Sequence, residues 1–224
     1  MTQPRIVSYD EWWSARMAFL EKEKELTRAR DALSAERRAL PMRLVEKDYV
    51  FTHSGGKATL LDLFDGRGQL IVYHFMGNVE GHGWCPICSY WVDNIGHLAH
   101  FHARDTSLAV VCPEPVAEME AFRARMGWTM PWYSCLGNGF YEDFHIPLTE
   151  GGEPEAPGVS AFLRDGDRIL YAYSTHRRGS DVLNGTYNYL DLTPLGRQEE
   201  DPEDPMGWLR HHDAYGQEES RSCG

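Results

Sequence analysis

The order of elements predicts an α/β domain, a central mixed sheet flanked by helices, with a long N-terminal helix ahead of it and an acidic C-terminal extension behind it. Three observations carry this. Runs of β-branched and aromatic residues alternate with amphipathic segments through the middle of the chain. Two strands close on an Asp-Gly turn. The first forty residues keep a helical period. At 224 residues, 42% hydrophobic and 25% charged, the chain has the composition of a globular protein and the length for one sizeable core.

Residues 8–40 read as one helix. Ser8 with Glu11 three residues on is a capping-box pattern. Asp10 and Glu11 suit the positive end of the dipole, Arg37 and Arg38 the negative end, and Pro41 stops the run. Trp12, Phe19, Leu26, Leu33 and Leu40 recur every seven residues, whereas the second seam (Ala15, Lys22, Ala29, Glu36) is weak. The helix therefore reads as an amphipathic arm, with dimerisation through it as the sharper alternative. Domain boundaries follow: 1–42 the helical arm, 43–196 the main domain, 197–224 the acidic extension.

Within the main domain, Tyr49-Val50-Phe51 is a short strand, Gly55-Gly56-Lys57 a turn, and Leu60 to Phe64 a short helix or turn. Gln69 to Met76 (QLIVYHFM) is a buried central strand. A glycine-rich loop, Gly77 to Gly83, leads to a helix that opens at Cys85 and runs to about His102. Leu108 to Cys112 is a second buried strand, Pro115 to Met126 a helix, and Trp132-Tyr133-Ser134 a third strand. Residues 137–158 read as an irregular connection. Val159–Arg164 and Arg168–Ser174 form a hairpin, and residues 180–195 a last helix. The βαβ order in the middle implies parallel strands, to which the hairpin adds antiparallel ones.

Thirty-four acidic against twenty-two basic residues give a net charge of −12. Such a chain repels phosphate backbones and anionic lipid, which argues against nucleic-acid and membrane partners. No apolar run approaches the ~20 residues of a membrane span. The N-terminus lacks a basic start followed by an apolar stretch, so the cytoplasm is the expected compartment. Five cysteines in a reducing compartment are not a disulfide framework.

Cys85-Pro86-Ile87-Cys88 is the most informative motif. A first cysteine at a helix start, after a buried strand and a glycine loop, has its thiolate stabilised by unpaired N–H groups and the helix dipole. The second, one turn on, is placed to resolve a mixed disulfide. Pro86 in the first turn loses no hydrogen bond. With no second CxxC and no HxxxH, a structural zinc knuckle is poorly supported. Among the other candidates, His74 reads as a structural histidine, His82 as a group able to lower the Cys85 pKa or join a metal, and Cys112 as a buried inert thiol. Cys135 reads as a possible extra redox partner and Cys223 as incidental. Trp84, Trp91 and Trp132 are expected around the redox helix. Trp84, Pro86, Cys112 and Val159 are the candidates to line the site.

The stretch Tyr49 to Val92 resembles the thioredoxin/peroxiredoxin superfamily. More closely, the chain resembles a bacterial thioredoxin-like family known as domain of unknown function 899. The matching segments include Phe75-Met76-Gly77, Cys85-Pro86-Ile87-Cys88-Ser89, Trp91-Val92-Asp93-Asn94, Ala121 to Trp128, Phe162 to Gly166, Leu190 to Arg197 and Trp208 to Asp213. The resemblance covers nearly the whole chain and implies a thioredoxin-like fold. Three departures stand out. Phe75 to Cys85 is longer than in a thioredoxin, so the loop is expected to cap the site. No proline immediately precedes Ser160, where thioredoxins place a cis-proline. His82 stands where peroxiredoxins carry a threonine.

The function expected is thiol–disulfide oxidoreduction, with Cys85 attacking and Cys88 resolving. It needs no cofactor beyond the Cys85–Cys88 disulfide. The substrate would be a disulfide-containing or oxidised small molecule or protein, and the electron donor is open. The alternatives are a copper- or zinc-binding protein using Cys85, Cys88 and His82, His211 or His212, an atypical peroxiredoxin-like peroxide reductase, and an interaction module dimerised by its long helix.

Overall fold

The computed structural model describes residues 4–79, 83–144 and 156–216. The chain divides into two units, Met1–Pro41 and Met42–Gly224. In the first, α1 (Tyr9–Arg38) starts where the Ser8 hydroxyl accepts the Glu11 N–H at 3.3 Å, as the capping pattern predicts. Trp12, Phe19, Leu26 and Leu33, its heptad positions, are all exposed.

The second unit runs β1 (Arg43–Leu44), β2 (Val50–His53), β3 (Gly56–Thr59), a 3-10 turn at Asp62–Phe64, β4 (Gln69–His74), β5 (Asn78–Val79) and β6 (Gly83–Trp84). There follow α2 (Pro86–Asp93), α3 (Leu98–His102), β7 (Thr106–Cys112), α4 (Val116–Arg125), β8 (Trp132–Ser134) and α5 (Phe140–Asp143). The hairpin β9 (Gly158–Asp165) and β10 (Arg168–His176), a 3-10 turn at Arg177–Leu183 and α6 (Gly185–Leu190) complete it. The large sheet has the order β1-β10-β9-β4-β7-β8-β2-β3. β4, β7 and β8 are parallel, and β9 pairs antiparallel with both β4 and β10. A βαβ unit whose first strand takes the near strand of a C-terminal hairpin at its other edge, giving β10-β9-β4-β7, is the thioredoxin-like arrangement.

β4 and β7 are buried on both faces, which explains their unbroken apolar runs. Alternation sends Tyr73, Val110 and Cys112 to the face covered by α2 and α4, with Phe75, Phe122, Trp128 and Trp132. It sends Leu70, Val72 and Val111 to the other, against Phe51, Phe140, Phe144 and Phe162.

Several elements depart from the sequence reading. The helix expected from Cys85 to about His102 is two. Asn94 ends the first, its Nδ2 donating to the Tyr90 carbonyl at 2.7 Å, and His97 caps the second through its ring. The turn expected at Gly55-Gly56-Lys57 sits one residue earlier, so that Gly56 begins β3 opposite His53. β1 is too short to leave a periodic signal. The helix expected over 180–195 shortens to α6 because buried Asn184 caps it late, accepting the Tyr187 N–H at 3.0 Å. The expected connection 137–158 holds α5, and its residues 145–155 lie outside the described ones. No helix among the described residues is long and apolar enough to cross a membrane.

A candidate redox site at the start of α2

β4 delivers the chain to the carboxyl edge of the sheet. Gly77 then takes φ +88°, a conformation suited to glycine. A Cβ there would also meet Glu114 at 2.5 Å, and Glu114 Oε1 accepts the Asn78 N–H. The Cys85 N–H donates to the Gly77 carbonyl at 3.2 Å, so the two ends of the long loop are tied together at their base. Short strands β5 and β6 pair within it.

Cys85 is the N-cap of α2, with Pro86 at its first position. Its Sγ accepts the Cys88 N–H at 3.2 Å, and Cys88 Sγ accepts the Met76 N–H at 3.4 Å. Met76 Sδ lies 3.8 Å from Cys85 Sγ. The two cysteines are free thiols; Cys85 is 4% exposed and Cys88 fully buried. Their protons are held unequally. The Cys88 S–H donating to it, helped by the N–H groups of Cys88 and Ile87, holds Cys85 below the ordinary thiol range against its burial. Burial, the same hydrogen bond and the Cys85 charge push Cys88 up. Burial also pushes up Cys112, behind Cys88 in the same cluster, and Cys135, which packs across the sheet. Cys135, read in sequence as an optional extra redox partner, thus lies in a different cluster from Cys85 and Cys88.

Cys85, Pro86, Ile87 and Met76 form part of the lining of a cavity of about 670 Å³. Arg177 and Arg178, from the turn after β10, and Arg210 and Met206, from the C-terminal segment, line it as well. Of the other expected lining residues, Trp84 stacks on Phe122 with ring centroids 4.3 Å apart. Cys112 sits in the core, and Val159 lines a second cavity of about 150 Å³ with Trp91. Trp132 stacks on Trp128, and the Trp91 indole N–H donates to the Ser180 carbonyl. His82 and Cys223 lie outside the described residues.

The C-terminal segment packs onto α2. Leu209 is buried in the core cluster. The Ser89 hydroxyl donates to the Cys85 carbonyl at 2.9 Å, and His211 Nδ1 lies 3.2 Å from that hydroxyl. His212 Nδ1 lies 2.8 Å from Asp93 Oδ1, which also accepts the Trp128 indole N–H. Arg125 holds Asp213 through two hydrogen bonds. The two histidines therefore meet polar side chains of α2, and among the described residues no three of His, Cys, Asp and Glu are grouped to hold a metal ion. His74 meets Ser160 at 2.8 Å, and burial pushes its pKa down to about 3, so the ring is neutral. The residues missed in sequence were Met76, Arg177, Arg178, Met206 and Arg210. Met76 and Arg210 carried a signal, since both stand in segments that match the family, and Met76 also joins the central strand to the glycine loop.

Among solved structures, the chain is similar to peroxidoxin BcpB from Mycobacterium tuberculosis: 16% identity, 66% of this chain and 96% of that one covered, TM-score 0.49. It is similar also to PrxQ from Xylella fastidiosa, at 14%, 63% and 89%, TM-score 0.47. A yeast mitochondrial 1-Cys peroxiredoxin matches at 14%, 68% and 78%, TM-score 0.46. No curated protein matches. The family model described as "Bacterial protein of unknown function (DUF899)" matches residues 1–215, and the chain belongs to that family.

Proposed function

We propose that the protein is a thiol–disulfide oxidoreductase whose redox couple is Cys85 and Cys88. The observation that carries this reading is geometric: Cys85 is the N-cap of α2 with its Sγ accepting the Cys88 N–H at 3.2 Å, and the free Cys88 thiol stands one turn on, placed to resolve a mixed disulfide. Cys85 thiolate attacks one sulfur of a substrate disulfide, forms a mixed disulfide and expels the other half as a thiolate. The Cys88 thiol gives up its proton and attacks Cys85 Sγ. The Cys85–Cys88 disulfide forms, and the second half of the substrate leaves as a thiolate. The substrate gains two electrons and the protein loses two, which a dithiol donor restores. The same thiolate can attack a peroxide oxygen: the O–O bond breaks, the other oxygen leaves as an alkoxide that takes a proton, and the Cys85 sulfenic acid condenses with the Cys88 thiol to the disulfide and water. The cavity beside Cys85 has room for such a small molecule.

The test is turnover of a small disulfide and of a hydroperoxide with dithiothreitol as donor, beside Cys85→Ser. Disulfide turnover lost in that variant supports the reading, as does a Cys85–Cys88 disulfide found by mass spectrometry after mild oxidation. Wild-type turnover no higher than that of Cys85→Ser refutes it. Turnover of the hydroperoxide alone would move the assignment to peroxide reduction.

A further inference from the structure

Three sulfurs, not two, converge at the carboxyl end of β4. Cys85 Sγ accepts the Cys88 N–H at 3.2 Å, Cys88 Sγ accepts the Met76 N–H at 3.4 Å, and Met76 Sδ stands 3.8 Å from Cys85 Sγ. The thiol–disulfide reaction makes no use of a thioether, which has no proton to give and accepts hydrogen bonds only weakly. Two thiolates and a thioether are, however, a soft ligand set of the kind that selects Cu(I). Metal–sulfur bonds of about 2.3 Å set the sulfurs of a trigonal site about 4 Å apart, and the Met76–Cys85 separation of 3.8 Å already meets that spacing.

The surroundings fit the ion. Cys85 and Cys88 are buried with Phe75 and Trp84 in the same cluster, and the cavity lined by Met76 and Cys85 leaves a route by which the ion arrives. Each cysteine sulfur accepts one backbone N–H, from Cys88 and from Met76, which orients the lone pairs and offsets the excess negative charge. His211 and His212 are engaged with Ser89 and Asp93. A four-ligand N/S site of the zinc type is therefore not assembled among the described residues.

We propose that Met76, Cys85 and Cys88 form a three-sulfur site for Cu(I). On binding, two S–H bonds give way to two Cu–S bonds, the Met76 thioether donates a lone pair, and two protons leave to solvent. No electron is transferred. One positive charge against two thiolates leaves a single negative charge, beside the two N–H donors. Oxidation to the Cys85–Cys88 disulfide removes both thiolate ligands, so copper and disulfide exclude one another.

The test uses the full-length protein, reduced and freed of reductant without oxygen, and titrated with Cu(I) against bicinchoninate. A single equivalent is expected to bind, with X-ray absorption showing three sulfurs at about 2.3 Å. Met76→Leu, a volume-conserving change, should lower the affinity by about tenfold or more and leave two sulfurs. Cys85→Ser and the disulfide form should take no copper from the competitor. The proposal is overturned if the reduced wild type takes none, if its third ligand is nitrogen or oxygen, or if Met76→Leu binds as tightly with the same spectrum. None of these outcomes bears on disulfide turnover, so the two readings fail separately.

Discussion

Cys88→Ala removes the group that does most to lower the Cys85 pKa. The variant keeps Cys85 at the N-cap with its N–H donors from residues 87 and 88, and loses only the S–H that donates to it. A hydrogen bond to a charged acceptor is worth about 1.5–3 kcal/mol, and 1.36 kcal/mol is a factor of about ten. A thiol is a weak donor, so the lower end applies, and the thiolate-to-thiol ratio of Cys85 should fall about tenfold. Access to the sulfur, which is 4% exposed, is the same in both proteins and cancels in the comparison. The assay is the pH profile of iodoacetamide alkylation, with peptide mass spectrometry to assign the product to Cys85. The inflection should move to higher pH, and the rate below it should drop about tenfold. An unmoved inflection, or a lower one, would refute the reasoning: the helix end and backbone donors alone would then set the reactivity.

Leu209→Ala tests whether the C-terminal segment is part of the folded unit. Leu209 is 2% exposed, and a buried Leu→Ala change costs about 2–5 kcal/mol, readable as a lowered Tm; an unchanged Tm would make the segment peripheral. His74 gives a pH dependence. Its pKa is pushed from 6.5 to about 3 by burial, so the unfolded chain binds the proton first, and stability present above pH 6.5 is lost as pH falls toward 3. The slope from this one group is at most about 1.4 kcal/mol per pH unit. Denaturant unfolding from pH 7 to 4 should show a flatter profile for His74→Gln; parallel profiles would place the sensitivity elsewhere.

The parts legible in the sequence are those decided within a turn or two of chain. Ser8 with Glu11 and Cys85 with Pro86 mark helix starts, because capping involves only the next three residues. The apolar runs of β4 and β7 announce a sheet covered on both faces. The hairpin turn at Asp165-Gly166-Asp167 sets its own register, Arg168 opposite Asp165. Less legible was the break between α2 and α3. It depends on Asn94, whose Oδ1 accepts both the N–H and the hydroxyl of Thr186, ninety-two residues away.

The sequence by itself determined the main elements in their order along the chain and the Cys-Pro-Ile-Cys motif at a helix start. Tertiary structure alone decided which distant groups join the motif. Met76 reaches Cys85 because the loop after β4 turns back at Gly77. Arg177, Arg178 and Arg210 line the Cys85 cavity because β9 pairs beside β4 and the C-terminal segment lies over α2. The physical reason is range. Caps, turns and strand periodicity are local contacts that residue types reveal, whereas strand order and the docking of a far segment are set by the burial of the two clusters that cover the faces of the sheet, which no single stretch of sequence contains.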